Sequence, residues 1–253
     1  MIKLLSIGNS FSQDAQRWLP DMLKEVGIDA YLVNLFIGGC SLETHWTNID
    51  AEEPKAYRYQ INAYDDSRTN LKDALVAEDW DIITFQQSSP LCGVEESYLP
   101  YLDQLVELVR EYCPKAKFYM HETWAYEWGF ERESFALHYN SDQREMYRKL
   151  KSAYTKMAER IGAELIPCGD VIQYIRENVP AFDYRNGGLS LNRDGYHLSQ
   201  LYGRYAAGLV WLKTIFGGDP LKVENLRTYT MGATADPEIL KMIRESVAEY
   251  LEK

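Results

Sequence analysis

The sequence predicts an α/β protein in which a parallel sheet is covered by helices on both faces. Two observations carry this prediction. Five short apolar runs have the length of buried strands, and stretches with helical periodicity fill most of the gaps between them. The five runs cover residues 3–7, 30–37, 81–85, 117–121 and 164–167. A chain of 253 residues is long enough to form one such domain with a sizeable core.

Two of the helical stretches each place their apolar side chains on one face. Their apolar residues are Leu102, Leu105, Val106 and Val109 in the first, and Met146, Leu150, Tyr154, Met157 and Ile161 in the second. A further helix is predicted over residues 198–216, ended by Gly217 and followed by Pro220. After it, in residues 219–253, we expect a loop and then a helix that opens at "TADPEIL", with Pro237 in its first turn.

The composition narrows the classes of partner. A net charge of −11 argues against nucleic acid or an anionic membrane as a partner of the surface as a whole. No apolar run approaches the roughly eighteen residues of a membrane-spanning helix. Since no internal repeat or linker interrupts the chain, we predict a single domain over residues 1–253, on which residues 219–253 pack. The oligomeric state is left open.

The cysteines and the first residues bear on the cellular compartment. The four cysteines lie far apart, with no CxxC pair and no histidine at metal-ligand spacing, which predicts reduced thiols and favours the cytoplasm. They are Cys40, Cys92, Cys113 and Cys168. Met1 leads almost directly into the first predicted strand, so we expect no signal peptide. Export with a signal peptide already removed is the alternative.

Two segments lack clear periodicity and are rich in polar and aromatic residues. One covers residues 38–70, and the other, "HETWAYEWGFERESF", follows the fourth predicted strand. Long irregular segments inside a compact domain usually build a site. Both follow the C-terminal ends of strands, where open α/β sheets bind their ligands. We therefore expect a ligand site at this edge of the sheet.

The stretch "SIGNSFSQDAQRWL" places Ser10 between the first strand and the first helix. With Gln13 three residues later, Ser10 predicts a capping box that stabilises the helix by about 1 kcal/mol. The same position also suits a nucleophile. A serine on a strand-to-helix turn exposes its hydroxyl at the sheet edge, where helix N–H groups point at a nearby oxyanion.

A nucleophilic serine needs a base, and the chain has four histidines. His197 is the best placed, because Asp194 precedes it by three residues in "NRDGYHLSQLYG". An Asp-x-x-His turn puts both side chains on one side, so that the carboxylate holds one ring nitrogen and the other faces a substrate. Taken separately, Asp194 is equally well a helix cap and His197 an ordinary polar surface residue. Together with Ser10, the three residues favour nucleophilic catalysis.

Three blocks of the sequence resemble the SGNH (GDSL-type) hydrolases, in particular a bacterial branch with a GNSFS opening. They are "IGNSFS", "GGCS" and "DGYH", and the resemblance covers residues 3–216. It implies a flavodoxin-like, three-layer α/β/α fold with a parallel sheet of about five strands. It also implies Ser10 as nucleophile, His197 as base and Asp194 as the residue that orients it. The implied oxyanion hole combines the N–H groups of Ser10 and Gly39, or of the neighbouring Gly38, with a side-chain amide.

The sequence departs from the pattern of that family in two places. The usual aspartate before the nucleophile is Asn9, and the block with Gly and Asn after the third strand is replaced by "TFQQSSP". A glutamine amide can donate as asparagine does, and sialate and carbohydrate acetylesterases of similar fold carry glutamine near this point. Alternation points Gln86 and Gln87 to opposite sides, so at most one reaches the oxyanion. We favour Gln87, which lies further past the strand end; the alternative is that both form a polar turn.

Other functional classes fit less well. The single glycine of "GNSFSQ" argues against a dinucleotide site, and the G-x-S-x-G elbow of the α/β-hydrolases is missing. For a metal hydrolase, His121, Glu122 and His138 lack the usual spacing. A carbohydrate-binding protein of the same fold with weak or no turnover is the main alternative. Two features support this alternative: the missing block with Gly and Asn, and five aromatic residues that either form a sugar-stacking cleft or pack locally. These residues are Trp46, Trp124, Tyr126, Trp128 and Tyr196.

The sequence thus predicts a serine esterase that removes a small acyl group, with acetyl as the expected group, from a carbohydrate or similar small molecule. The expected substrate contacts are Trp46, His121, Trp124 and Tyr196. No metal or organic cofactor is expected, and the expected partner is a small-molecule or carbohydrate ester.

Overall fold

A seven-stranded sheet with the order β4-β3-β2-β1-β5-β6-β7 forms the centre of the molecule. The computed structural model describes residues 1–252. The strands are β1 (Ile2–Gly8), β2 (Ala30–Phe36), β3 (Tyr57–Ile61), β4 (Tyr64–Thr69), β5 (Ile82–Phe85), β6 (Lys117–His121) and β7 (Glu164–Ile166). Five of them, β2-β1-β5-β6-β7, pair in parallel, and β3 and β4 add an antiparallel hairpin next to β2. The predicted parallel α/β sheet is confirmed, and its five parallel strands have the flavodoxin-like order.

The hairpin of β3 and β4 corrects the expectation that residues 38–70 are irregular. The prediction missed it because the turn between the strands consists of Asn62 and Ala63, both at positive φ, without a glycine. Turns of this kind are usually signalled by Asn-Gly or Asp-Gly. The outer strand β4 is almost entirely exposed, so it has no apolar face from which to recognise it.

Ten α-helices lie within residues 1–252. They are α1 (Ser10–Gln16), α2 (Leu19–Glu25), α3 (Leu42–Thr47), α4 (Leu71–Val76), α5 (Tyr101–Tyr112), α6 (Glu133–Tyr139), α7 (Gln143–Ile161), α8 (Cys168–Asn178), α9 (Gly203–Phe216) and α10 (Pro237–Leu251). Helices α1, α2, α8 and α10 pack against α9, and α3 and α4 pack against α5. Crossover connections between parallel strands are right-handed. The connection from β1 to β2 and the connections from β5 to β7 run in opposite directions across the sheet, so their helices cover opposite faces. This gives three layers.

The predicted helices over 102–109 and 146–161 are present as α5 and α7. The one expected over 198–216 begins later, at Gly203, because residues before it continue an irregular turn. The C-terminal helix α10 has Asp236 as its cap and Pro237 in the first turn, and it packs on α8 and α9. None of the helices within residues 1–252 is long and apolar enough to cross a membrane.

Candidate active site

The N-terminus of α1, which follows β1, is capped by Asn9 and not by Ser10. The Asn9 side-chain oxygen accepts a hydrogen bond from the N–H of Phe11 (2.9 Å), and the Asn9 N–H donates to Ser12 Oγ (3.1 Å). The predicted capping box of Ser10 and Gln13 is therefore wrong, since asparagine one residue earlier is an equally good cap. Ser10 is the first residue of α1, and its hydroxyl takes no part in the cap.

The Ser10 hydroxyl instead lies 2.9 Å from His197 Nε2. On the other side of the ring, His197 Nδ1 lies 2.7 Å from Asp194 Oδ2, and the His197 N–H donates to Asp194 Oδ1 (2.8 Å). A carboxylate can only accept, so Nδ1 carries the proton and Nε2 is left to accept the proton of Ser10. The structure thus brings the three predicted catalytic residues into one hydrogen-bonded chain.

The charge on Asp194 is stabilised by this chain. Burial alone would raise its pKa, but the hydrogen bonds from the His197 side chain and backbone outweigh burial and hold the pKa of Asp194 below its ordinary value. The Asp194 side chain is 40% exposed, whereas that of His197 is 16% exposed. An ionised Asp194 therefore fixes the His197 ring in an orientation suited to a general base.

A second aspartate, Asp14, joins helix α1, which begins at Ser10, to the turn that carries His197. The buried carboxylate of Asp14 accepts hydrogen bonds from the Leu198 N–H (2.9 Å) and from the guanidinium of Arg193 (3.0 and 3.1 Å). Arg204 on α9 also bonds to it at 2.7 Å. Leu198 and Arg193 flank the Asp194–His197 turn on its two sides, so Asp14 holds both ends of that turn next to Ser10.

The main-chain N–H groups of Ser10 and Gly39 are the predicted oxyanion donors. Within residues 1–252, the N–H groups of Ser10 and Gly39 have no acceptor, and both residues line the same cavity. Gly39 has φ +66°, a conformation that is strained for residues with a Cβ. The Asn9 amide donates to the carbonyl of Cys40 (3.0 Å), so the cap of α1 also fixes the loop that contains Gly39.

Neither glutamine of "TFQQSSP" reaches this cavity. Gln87, favoured from the sequence, is buried: its amide donates to Ser97, and its carbonyl accepts from the N–H groups of Leu42 and Ser88. The Gln86 amide donates to Asn9 Oδ1 at 2.7 Å. These hydrogen bonds correct the expectation that one of the two amides serves the oxyanion, because each amide is used inside the protein.

Gln86 belongs to a buried chain of hydrogen bonds that supports the α1 turn. Its carbonyl oxygen lies 2.8 Å from His121 Nδ1, which must be the donor. Burial lowers the pKa of His121 to about 3, so this ring is neutral at physiological pH. Hydrogen bonds thus run from His121 through Gln86 to Asn9, and from Asn9 to the loop after β2. His121, expected to touch substrate, positions the site from within the core.

The aromatic residues expected to bind substrate have three different environments. Trp124 is fully buried, stacks on Phe11 with ring centroids 4.4 Å apart, and donates its indole N–H to the carbonyl of Tyr196 (2.7 Å). Trp46 is half-buried on α3 and does not line the cavity beside Ser10. Tyr196 does line it. The predictions that Trp124 and Trp46 contact substrate are therefore corrected: Trp124 packs inside the core, and Trp46 packs against the core from α3.

The cavity at Ser10 has a volume of about 380 Å³. Besides the residues described above, its walls contain Phe36, Ser89, Pro90 and Arg132, which the sequence did not single out. Ser89 comes from the same "TFQQSSP" segment, and Arg132 comes from the irregular segment after β6. Within residues 1–252, no group of three or more His, Cys, Asp or Glu side chains is arranged to hold a metal ion.

Residues 3–235 match a family model described as "Domain of unknown function (DUF4886)". The chain belongs to the DUF4886 family. A DUF4886 protein from Bacteroides uniformis is 34% identical, with a TM-score of 0.84, over 99% of this chain and 95% of that one. A search of curated proteins found no match.

More distant structures, which include a candidate SGNH hydrolase and an esterase, have a similar fold. A candidate SGNH hydrolase from Slackia heliotrinireducens matches with 20% identity and a TM-score of 0.57, over 85% of this chain and 98% of that one. A variant of an acetyl-xylooligosaccharide esterase from Geobacillus matches with 14% identity and a TM-score of 0.52, over 84% and 93% of the two chains. These likenesses concern the fold, and they agree with the α/β/α fold that the SGNH resemblance implied.

Proposed function

We propose that this protein is a serine esterase that removes a small acyl group, acetyl in the first instance, from a carbohydrate or similar small alcohol. The observation that carries the proposal is the hydrogen-bonded chain from Ser10 through His197 to Asp194, which opens on a cavity. A serine that only capped a helix would use its oxygen on a main-chain N–H, and Ser10 does not.

In the first half of the reaction, Ser10 Oγ attacks the ester carbonyl while its proton moves to His197 Nε2. The tetrahedral intermediate collapses, the bond to the alcohol oxygen breaks, and His197 passes the proton to that oxygen. In the second half, His197 takes a proton from water, which attacks the acyl-enzyme, and the acid leaves as Ser10 regains its proton. Asp194 keeps its charge throughout and steadies the imidazolium.

The N–H groups of Ser10 and Gly39 donate hydrogen bonds that stabilise the negative charge on the carbonyl oxygen. We assign the third donor to the Ser89 hydroxyl. Its oxygen lies 3.0 Å from the hydroxyl of Tyr126, which also accepts a hydrogen bond from Arg132 (3.3 Å). Since arginine can only donate, Tyr126 has its own proton to give to Ser89, and the Ser89 proton is available to the cavity. Each such donor is worth about 3 kcal/mol in the transition state.

The volume of the cavity favours a small substrate. A volume of about 380 Å³ is near the lower end of the range of small-molecule sites, about 300–1,000 Å³. Tyr196 and Phe36 provide partly exposed rings on its walls, against which a sugar ring can pack. An acetyl-xylooligosaccharide esterase among the proteins of this fold is a precedent for that chemistry. Four free and buried cysteines fit the cytoplasm as the place of action.

The test is hydrolysis of p-nitrophenyl acetate and of acetylated sugars by the wild type and by Ser10→Ala. The proposal predicts turnover by the wild type and a loss of several powers of ten in the variant, with unchanged thermal unfolding. Acetylated-sugar binding without turnover by the wild type would favour a carbohydrate-binding protein instead. Comparing acetyl with butyryl and octanoyl esters tests the preference for a small acyl group.

A further inference from the structure

Arg132 presents a positive charge to the cavity at Ser10. Among residues 1–252, it is the only side chain on the walls of this cavity, apart from His197, that can carry a positive charge. The guanidinium carbon lies 5.1 Å from the ring centroid of Tyr196 and 5.7 Å from that of Tyr126, and Nη1 donates to the Tyr126 hydroxyl at 3.3 Å. Two aromatic rings and a hydroxyl therefore hold a side chain that would otherwise be mobile.

This positive charge has no carboxylate partner in the part of the chain that the structure describes. Within residues 1–252, no Asp or Glu oxygen lies within 4.0 Å of the Arg132 guanidinium, although Glu131 and Glu133 flank it in the sequence. Arg193 and Arg204, near the same site, are both paired with Asp14. In a chain with net charge −11, an unpaired arginine on the wall of the cavity is available for a ligand.

We infer that the alcohol released by this esterase carries an anionic group, a carboxylate or a phosphate, which Arg132 binds while the acyl group lies at Ser10. The inference rests on the proposed function and narrows its substrate to acylated sugar acids, acylated sugar phosphates and similar compounds. A guanidinium offers two parallel N–H groups to either anion, and such charge-assisted bonds are about twice as strong as neutral ones. The tyrosine contacts orient the guanidinium before the substrate arrives.

The experiment compares three acetyl esters: acetylated glucose, acetylated glucuronic acid and acetylated glucose phosphate. The reaction at the carbonyl is the same in all three, so the ratio of kcat/KM values isolates recognition of the anion. At low ionic strength we expect the better anionic ester to exceed the neutral one by about tenfold. We expect 0.5 M salt to shrink that ratio, since screening weakens the ion pair. Comparing kcat/KM for acetylated glucuronic acid with that for acetylated glucose phosphate shows whether Arg132 prefers a carboxylate or a phosphate.

Arg132→Gln should bring the ratio to about one, and Arg132→Lys should retain part of it. Arg68→Gln is the matched control, since it removes the same charge from the exposed strand β4, three strands away from β1. An equal preference in wild type and Arg132→Gln, or no preference in the wild type, would overturn the inference. Binding of glucuronate and glucose phosphate to Ser10→Ala, with and without Arg132→Gln, decides the same question without turnover. A protein that hydrolyses none of the esters would refute the esterase proposal, and this binding comparison would still decide the role of Arg132.

Discussion

The buried carboxylate of Asp14 accepts a 2.9 Å hydrogen bond from the N–H of Leu198, the residue that follows the candidate base. Asp14 lies one helical turn after Ser10 on α1, so a single side chain connects the helix that begins at Ser10 to the turn that carries His197. Two arginines neutralise it, at distances of 2.7 to 3.1 Å. The spacing between Ser10 and His197 therefore depends on a buried ion cluster as well as on the residues that react.

Replacing Asp14 by Asn should damage both stability and catalysis. The variant leaves Arg193 and Arg204 without their carboxylate, which costs about 3–5 kcal/mol in the free energy of unfolding. It also loosens the turn, so kcat should fall under conditions in which the variant is still folded. Urea unfolding and ester hydrolysis measure the two effects. Asp21→Asn, which removes an exposed charge from α2, is the control; if both variants behave alike, Asp14 does not hold the turn.

The assignment of the oxyanion donors predicts that substitutions of Ser89 and Gln87 change kcat to very different extents. Ser89→Ala should lower kcat by about a hundredfold, because it removes a donor to the oxyanion. It should also lower the free energy of unfolding by about 1–3 kcal/mol, because the buried Tyr126 hydroxyl loses its acceptor. Gln87→Ala should leave kcat within a few-fold, but lower the free energy of unfolding by about 1–3 kcal/mol. The N–H groups of Leu42 and Ser88 lose their acceptor in that variant. If Gln87→Ala lost turnover and Ser89→Ala did not, the assignment would be reversed.

The hydrogen bonds of Asp194 predict how activity depends on pH. Since they hold its pKa below the ordinary value, Asp194 stays ionised and keeps the His197 ring oriented as the pH falls, and the activity that depends on this orientation is lost only when the pH reaches that lowered pKa. The logarithm of kcat/KM should therefore fall with unit slope on the acid side and be level above it. Asp194→Asn should lower kcat by at least about a hundredfold, because the ring loses its orienting acceptor. Full activity of this variant would remove Asp194 from the mechanism.

The five parallel strands could be predicted because strands buried on both faces are continuous apolar runs. The same reasoning failed for the hairpin of β3 and β4, whose outer strand is polar and exposed and whose turn lacks glycine. Residues of β3 form a strand because they pair with β2. Four residues of β3 lie opposite Val33 to Phe36.

The residues of the candidate triad could be proposed because short blocks with local geometry carry them. Asp194 and His197 are three residues apart on one turn, and Ser10 begins a helix after a strand. The direction of an amide could not be predicted in this way. Gln86 and Gln87 are held by partners distant in sequence, such as Asn9 and Ser97. For the same reason, the position of Arg132 on the cavity wall was visible only in the folded chain.

The buried His121 predicts a pH dependence of stability that is separate from activity. Burial lowers its pKa to about 3, whereas the unfolded residue titrates near 6.5. Between these values only the unfolded state binds the proton, so the contribution to stability is present above about pH 6.5 and is lost as the pH falls. The expected slope is about 1.4 kcal/mol per pH unit.

His121→Gln should remove that slope between pH 5 and 6.5, as measured by urea unfolding at each pH. The comparison must be made against the wild type, because buried Glu122, whose pKa is raised by burial, contributes a slope of opposite sign. His45, also buried and with its pKa lowered to about 3, contributes equally to both proteins. Parallel stability curves for the two proteins would contradict a neutral His121 in the folded state.

The most direct measurement of the central claim is the mass of the protein after reaction with a fluorophosphonate, which phosphonylates only an activated serine. A nucleophilic Ser10 predicts one added phosphonyl group, located by peptide mapping on the peptide that contains Ser10. We expect labelling to be slowed strongly in Asp194→Asn and to be absent in Ser10→Ala. An unlabelled wild type, or a label on Ser12 or Ser89 that persists in Ser10→Ala, would contradict the account.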